Sequence, residues 1–197
     1  MTTLVLATAS SYKQRQFQQL NLPYTCDAAD INEVVKQQES AYAASKRLAQ
    51  AKAKHVALRH PHALIIGCDQ CAELDGTIIG KPHTKNNAIA QLQRYSGRKI
   101  QFHSGLALLE ASTLREWSCV TTTEVTFRTL TTREITDYIE ADQPLDCAGS
   151  FKAESLGIGL FESIKSDDPS ALIGLPLIAL CAMLRKAGLN PLHSLPI

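Results

Sequence analysis

Apolar and β-branched residues come in short blocks along the chain, and polar or Ala-rich stretches separate them. Residues 3–8 (TLVLAT) are β-branched and apolar, which predicts a short buried strand. Ser10 or Ser11 follows, where a serine hydroxyl can satisfy a free helix-start amide, and the helix it opens runs to about residue 20. Residues 39–59 are rich in Ala with Lys and Arg interspersed, which predicts a long helix. Residues 63–68 (ALIIGC) read as a continuous apolar strand, and residues 72–80 (AELDGTIIG) as a hairpin turning at Asp75-Gly76. Residues 86–95 are predicted helical, with Gly97 just beyond the last turn. Residues 99–109 and 117–127 form two long strands predicted to pair. Thr131 with Glu134 makes a capping box for a helix to about residue 140. Residues 157–164 read as another strand, and residues 176–186 as a last helix closed by Gly188. Strands and helices are mixed and hairpins occur, so the expected class is α/β with a mixed sheet.

Composition narrows this picture. A length of 197 residues suits one domain, placed at residues 1–192, with a short surface tail at 193–197. Hydrophobic residues make up 45% and charged residues 20%, as in ordinary soluble proteins. Lys and Arg number 20 against 19 Asp and Glu. That balance argues against a nucleic-acid partner held on a broad basic face, and leaves room for a local anion pocket. The opening MTTLVLATASS has no basic n-region, and no stretch approaches the roughly 20 apolar residues of a membrane span. Six cysteines are scattered without a secretory signal, so reduced thiols and a cytoplasmic location are expected.

Candidate chemistry begins at Gly67-Cys68-Asp69-Gln70, where an apolar strand is predicted to end on a carboxylate. Ligands of α/β proteins gather beyond the carboxyl ends of strands, and an Asp there can hold a divalent metal or activate water. The same pattern also fits a turn Asp bonded to nearby amides. Cys68 and Cys71 make one CxxC with no second ligand pair at zinc spacing, which favours small core side chains over a metal or redox pair. Lys81, between Gly80 and Pro82, sits on stiff backbone as a phosphate-binding cation would, although a lysine so placed is more often an ordinary loop residue. Lys52 lies mid-helix between alanines, where a solvated lysine is the default. Ser10-Ser11-Tyr12-Lys13 stands at a helix start, a ready anion site, although GxxxxGK[ST] is absent. The histidines show no metalloenzyme spacing and no GxSxG occurs.

In order along about residues 3–192, these segments resemble the Maf family of nucleotide pyrophosphatases. The opening loop of that family matches Ala7-Thr8-Ala9-Ser10-Ser11-Tyr12-Lys13-Gln14, and its G-x-D-[TQ] matches Gly67-Cys68-Asp69-Gln70. Leu74-Asp75-Gly76, Gly80-Lys81-Pro82, Ser96-Gly97, residues 104–108 (SGLAL) and residues 174–177 (GLPL) follow in family order. Residues 147–154 (CAGSFKAE) and Gln70 after Asp69 resemble the YceF-type branch, which acts on 7-methyl-GTP. The dTTP/UTP branch typically has Asp-Thr and KAGxYxIQ at these places.

The resemblance implies a twisted mixed sheet with flanking helices, in two lobes around a nucleotide cleft (Maf/Ham1 ITPase-like). It also implies a divalent metal, Mg or Mn, a nucleoside triphosphate substrate cut between its α and β phosphates, and a homodimer. Asp69 would be the catalytic base, sharing the metal with Glu33. Ser10, Lys13, Lys52 and Lys81 would hold phosphates, and Tyr12, Gln70 and Glu154 would select the base. The cellular task would be removal of modified nucleotides, with a link to cell division arrest. Two departures touch the phosphate side: Lys13 and Gln14 replace paired arginines, and Asn32 removes one carboxylate from a V-D-E segment. Arg15 is one helical step of about 100° away from Gln14. Alternatives are a dTTP/UTP or other modified-nucleotide pyrophosphatase, and a weakly catalytic nucleotide-binding regulator of septum formation.

Overall fold

The blocks of apolar residues build one seven-stranded sheet in a computed structural model that describes residues 3–193. Its strands are β1 (Leu4–Leu6), β2 (Thr25–Cys26), β3 (Leu64–Leu74), β4 (Thr77–Ile79), β5 (Lys99–Glu110), β6 (Arg115–Phe127) and β7 (Phe161–Lys165). The helices are α1 (Ser11–Gln18), α2 (Ala41–Ala57), α3 (Lys85–Tyr95), α4 (Thr132–Asp142) and α5 (Leu177–Lys186). The order across the sheet is β2-β1-β3-β5-β6-β7, with β4 also on β3. β1 runs parallel to β2 and β3, and the other pairs are antiparallel, so the sheet is mixed. None of the described helices is long and apolar enough to cross a membrane.

Local signals hold where local chemistry suffices. Asp75 and Gly76 turn the β3–β4 hairpin with φ of 51° and 75°, as a primed two-residue turn requires. Thr131 and Glu134 form the full capping box of α4, and Gly97 leaves α3 at φ 69°. Two expectations need correction. β3 does not stop at residue 68 but continues to Leu74, because β5 pairs with it from Leu64 to Glu73 and supplies hydrogen bonds past the apolar stretch. Asp69 therefore lies inside a strand, not beyond its end. The strand expected over residues 157–164 begins only at Phe161, after a 3-10 turn at Leu156–Leu160. A Cβ on Gly157 would lie 2.4 Å from the Lys152 carbonyl oxygen, so that turn is packed against backbone too closely for an ordinary side chain. The tail expected at 193–197 lies, past His193, outside the described residues.

Two apolar cores sit at opposite ends of the long strands. In the first lobe, Leu4, Leu6, Leu64, Ile66 and Leu106 pack against Phe17 of α1 and Leu180 of α5, while Val5, Ile65 and Ala107 on the other face meet Ala49, Ala53 and Val56 of α2. In the second, Leu74, Ile100, Phe102, Val125 and Phe127 pack against α3, α4 and Phe151. Each such large buried side chain contributes about 1.5–3 kcal/mol. Between the cores, the middle of β3 and β5 carries Asp69, Gln70, His103 and Ser104, all polar.

α2 crosses the sheet unusually closely there. A Cβ on Gly67 would come within 2.1 Å of the Ala49 carbonyl oxygen, and one on Gly105 within 2.1 Å of that of Ser45. Both glycines are needed for this approach. Gly105 pairs directly with Asp69, so the close contact is made beside the carboxylate.

Candidate active site

β3 has an open edge where the cleft forms. β5 occupies one edge throughout; on the other, β1 pairs only with Leu64 to Ile66 and β4 only with Ala72 to Leu74. Among the described residues no strand lies beside residues 67–71 on that edge, and a cavity of about 510 Å³ opens there. Side chains alternate along a strand, so Asp69 faces α2 and Gln70 faces the opposite side, and both reach the cavity from this gap. Ser10, Tyr12, Lys13, Glu33 and Lys52 line it from the first lobe, and Lys81 and Glu154 from the second. The structure thus gathers every site residue expected from the sequence.

Lys52 is not solvated. Its Nζ lies 2.6 Å from Asp69 Oδ1 and 2.8 Å from Glu33 Oε1. Asp69 is 7% exposed, so this ammonium is what neutralises it. Burial alone would lower the Lys52 pKa, but the charge of Asp69 and hydrogen bonds to Asp69 and Glu33 outweigh it and raise the value. Burial also opposes the charge on Glu33, yet Lys52 above all, with Lys81 and Lys13 behind it, holds its carboxyl below the usual range. The Cys71 thiol donates to the other Asp69 oxygen, Oδ2, at 3.8 Å. Burial, helped by Asp69, pushes that thiol up to about 12, so it remains a donor. Cys68 and Cys71 point to opposite faces into separate apolar clusters, which rules out a joint ligand pair.

One side of the cavity is built from the start of α1. Ser10 occupies the N-cap position, but its hydroxyl makes no capping bond, contrary to the sequence expectation. The Ser10 amide donates instead to Thr8 Oγ1 at 3.1 Å. The first intrahelical bond runs from the Gln14 amide to the Ser10 carbonyl, so the amides of Ser11, Tyr12 and Lys13 have no acceptor among the described residues. Ser11, Tyr12 and Lys13 all line the cavity, and free amides plus the helix dipole favour an anion there. Lys13 Nζ donates to the Cys68 carbonyl at 3.2 Å, on the open edge of β3. Gln14 and Arg15 do not line the cavity. Asn32 serves its own loop, its Oδ1 accepting from the Val34 amide at 2.9 Å.

The far side is ordered by the 166–176 loop. Gln70 Nε2 donates to the Ala171 and Leu172 carbonyls and to Ser104 Oγ, each at 3.0 Å. Two carbonyl oxygens at that end fix the amide orientation, since an Oε1 there would be repelled. Gln70 therefore offers only its Oε1, an acceptor, to a ligand. Buried Asp168 holds the loop, its Oδ1 accepting from Ser170 Oγ at 2.5 Å and its Oδ2 from the Ile178 amide of α5 at 2.7 Å. Tyr12 has one face toward the Lys152 ammonium, 5.9 Å from the ring centre. Asp146 also lines the cavity and was missed by sequence reasoning, because nothing in its spacing marks it. Asp27 was missed too. It receives two hydrogen bonds at 2.8 Å from Arg59 and one at 2.8 Å from His60, tying the loop that carries Ala28, Ala29 and Glu33 to the end of α2.

Lysines and unsatisfied helix amides on one side of a cleft, with an acceptor amide and a carboxylate on the other, define a class. This is a mixed-sheet α/β protein that handles a small phosphorylated molecule. The chain belongs to the Maf family: residues 3–187 match the family model described as Maf-like protein. It is 49% identical over 189 residues to a 7-methyl-GTP pyrophosphatase of Saccharophagus degradans, covering 96% of each chain. It is 46% identical over 192 residues to a 7-methyl-GTP pyrophosphatase of Chromohalobacter salexigens, covering 98% of this chain and 100% of that one. In fold it is similar to the crystal structure of a Vibrio cholerae protein, at a TM-score of 0.50 and 11% identity over 96% of this chain and 99% of the other.

Proposed function

We propose that the chain hydrolyses 7-methyl-GTP to 7-methyl-GMP and pyrophosphate. The observation that carries the chemistry is the meeting of Asp69 and Glu33 on one cation position, filled by Lys52 Nζ, at the open edge of β3. The likeness to two 7-methyl-GTP pyrophosphatases over nearly their whole length supports the choice of substrate. Lys13, Lys52, Lys81 and the first amides of α1 would hold the triphosphate, with Ser10 beside them. Asp69 would take the proton of the water that attacks the α phosphorus. The anhydride bond to the β phosphate then breaks and pyrophosphate leaves. Such transfer depends mainly on positioning and on neutralising charge, which suits a site so rich in lysine.

A divalent cation, Mg or Mn, fits the donor set. Among the described residues there is no group of three or more His, Cys, Asp or Glu able to hold a metal. Two hard carboxylates, Asp69 and Glu33, do converge on one cation position, and magnesium is commonly held by one or two carboxylates together with substrate phosphates. The ion would neutralise charge developing on the phosphate oxygens. Gln70 Oε1 and Glu154 would accept hydrogen bonds from the guanine edge, and Tyr12 would offer its face away from Lys152 to the ring. Six free thiols suit a reducing cytoplasm, and the family resemblance suggests a homodimer of a single domain over residues 1–192.

The test is pyrophosphate release from 7-methyl-GTP, GTP, dTTP and UTP with Mg²⁺ or Mn²⁺. 7-Methyl-GTP should be preferred, and Asp69→Asn should lower its turnover about 10²–10⁴-fold, the range for loss of a general base. Equal rates in the variant would remove Asp69 from the mechanism. Preference for dTTP or UTP would overturn the substrate, and nucleotide binding with no turnover would make the chain a regulator instead.

A further inference from the structure

The lysines lining the cleft gather around Asp69 and Glu33, whereas two further lining carboxylates, Asp146 and Glu154, stand apart from them. Lys52, Lys81 and Lys13 act together on Glu33, at the Asp69 end. At the other, burial and then Asp146 raise the Cys147 thiol, with Glu154 adding to them and Lys152 opposing. Neither of these two carboxylates forms an ion pair among the described residues, whereas Glu33 and Asp69 share one with Lys52. The nearby ammonium of Lys152 is turned onto the Asp142 carbonyl, 2.6 Å away, and is not part of the cavity lining.

Asp146 is exposed, and the segment on either side of it is anchored. The Leu145 carbonyl accepts from the His83 amide at 3.0 Å, and Ser150 Oγ bonds to Gln91 of α3. A Cβ on Gly149 would meet the Phe102 ring at 2.8 Å, so the turn lies flat on the second core. Phe151 then anchors it among Phe102, Phe127 and Phe161, with ring centres 4.8–5.8 Å apart. The Cys147 thiol donates to Asp146 Oδ1 at 3.5 Å, and Oδ2 has no hydrogen-bond partner among the described residues.

A cleft with cations at one end and unpaired carboxylates at the other suits a ligand that is polyanionic at one end and cationic at the other. Alkylation at N7 gives a purine ring a positive charge that the unmodified ring lacks. We propose that Asp146 is a further specificity-determining residue, which with Glu154 selects the positive charge of an N7-alkylated purine over its neutral parent. This rests on the proposed substrate and adds a residue and a physical criterion to it: charge, beyond the hydrogen-bonding edge.

Binding separates the two ideas, because it needs no turnover. Affinities for 7-methyl-GMP and GMP are measured by calorimetry for the wild type and Asp146→Asn, at low and moderate salt. The wild type should bind 7-methyl-GMP more tightly. In Asp146→Asn that preference should fall about three- to fivefold, as for loss of one partly exposed charge pair, with GMP affinity unchanged. Added salt should shrink the wild-type preference more than the variant's. An unchanged preference in the variant, an equal loss for both ligands, or no preference in the wild type would each overturn the proposal. A wild type that shows the preference yet releases no pyrophosphate from 7-methyl-GTP would overturn the activity alone and leave charge selection standing.

Discussion

Lys52 carries the charge balance around Asp69 and Glu33. It is the one cation within ion-pairing distance of both Asp69 and Glu33 among the described residues. Its removal would strand a nearly buried carboxylate, and breaking such a pair from one side costs several kcal/mol when both partners are deep. Glu33 is half exposed and shares the lysine, which reduces the penalty here. Lys52→Met should therefore lower stability in urea by about 2 kcal/mol. It should also cut kcat/KM far more than Lys81→Met does, since Lys81 lies exposed on a loop. Equal kinetic losses in the two variants would place Lys52 among the general phosphate cations. The sequence put Lys52 between alanines on a helix and gave it a solvated default. Only the tertiary contact to Asp69 shows the inward turn, because a helix pattern fixes the face of a residue and not the group opposite it.

At the scale of elements, the approach of α2 to the sheet decides the site. Lys52 can reach Asp69 because Gly67 and Gly105 let the backbone of α2 lie almost on the strands. A methyl at Gly105 would collide with the Ser45 carbonyl and lift the helix beside Asp69. Gly105→Ala should cost about 3 kcal/mol, at the upper end for overpacking, and should reduce turnover of 7-methyl-GTP although residue 105 touches no ligand. Full activity with full stability would show that the helix can shift without disturbing the Lys52–Asp69 contact. The hairpin, the capping box and the glycine-ended helices were legible in sequence, since each is set by a few adjacent residues. The length of β3 was not. Its second half is polar in part, and its strand character comes from β5, some thirty residues later.

For the molecule as a whole, two cores share one sheet and the cleft lies between them. A nucleotide in that cleft would touch the α1 end of the first lobe and the 145–154 segment of the second. Binding should then stabilise both lobes together. At a ligand concentration of about 100 times Kd, linkage adds about 2.7 kcal/mol to unfolding. With 7-methyl-GMP and pyrophosphate present, amide exchange should slow over residues 8–13 and 145–154 alike. Protection confined to one of these segments would show a ligand held by one lobe alone.

The order of the main helices and long strands, the mixed class of the sheet, the principal turns and caps, and the residue types gathered in the cleft were determined by the sequence itself. These depend on propensities and motifs carried by neighbouring residues. The pairing of Asp69 with Gly105, the open edge between β1 and β4, the Lys52 bridge, the fixed amide of Gln70 and the place of Asp146 were decided only by tertiary structure. Each depends on groups far apart in the chain being brought within a few ångströms, and no local pattern encodes that distance.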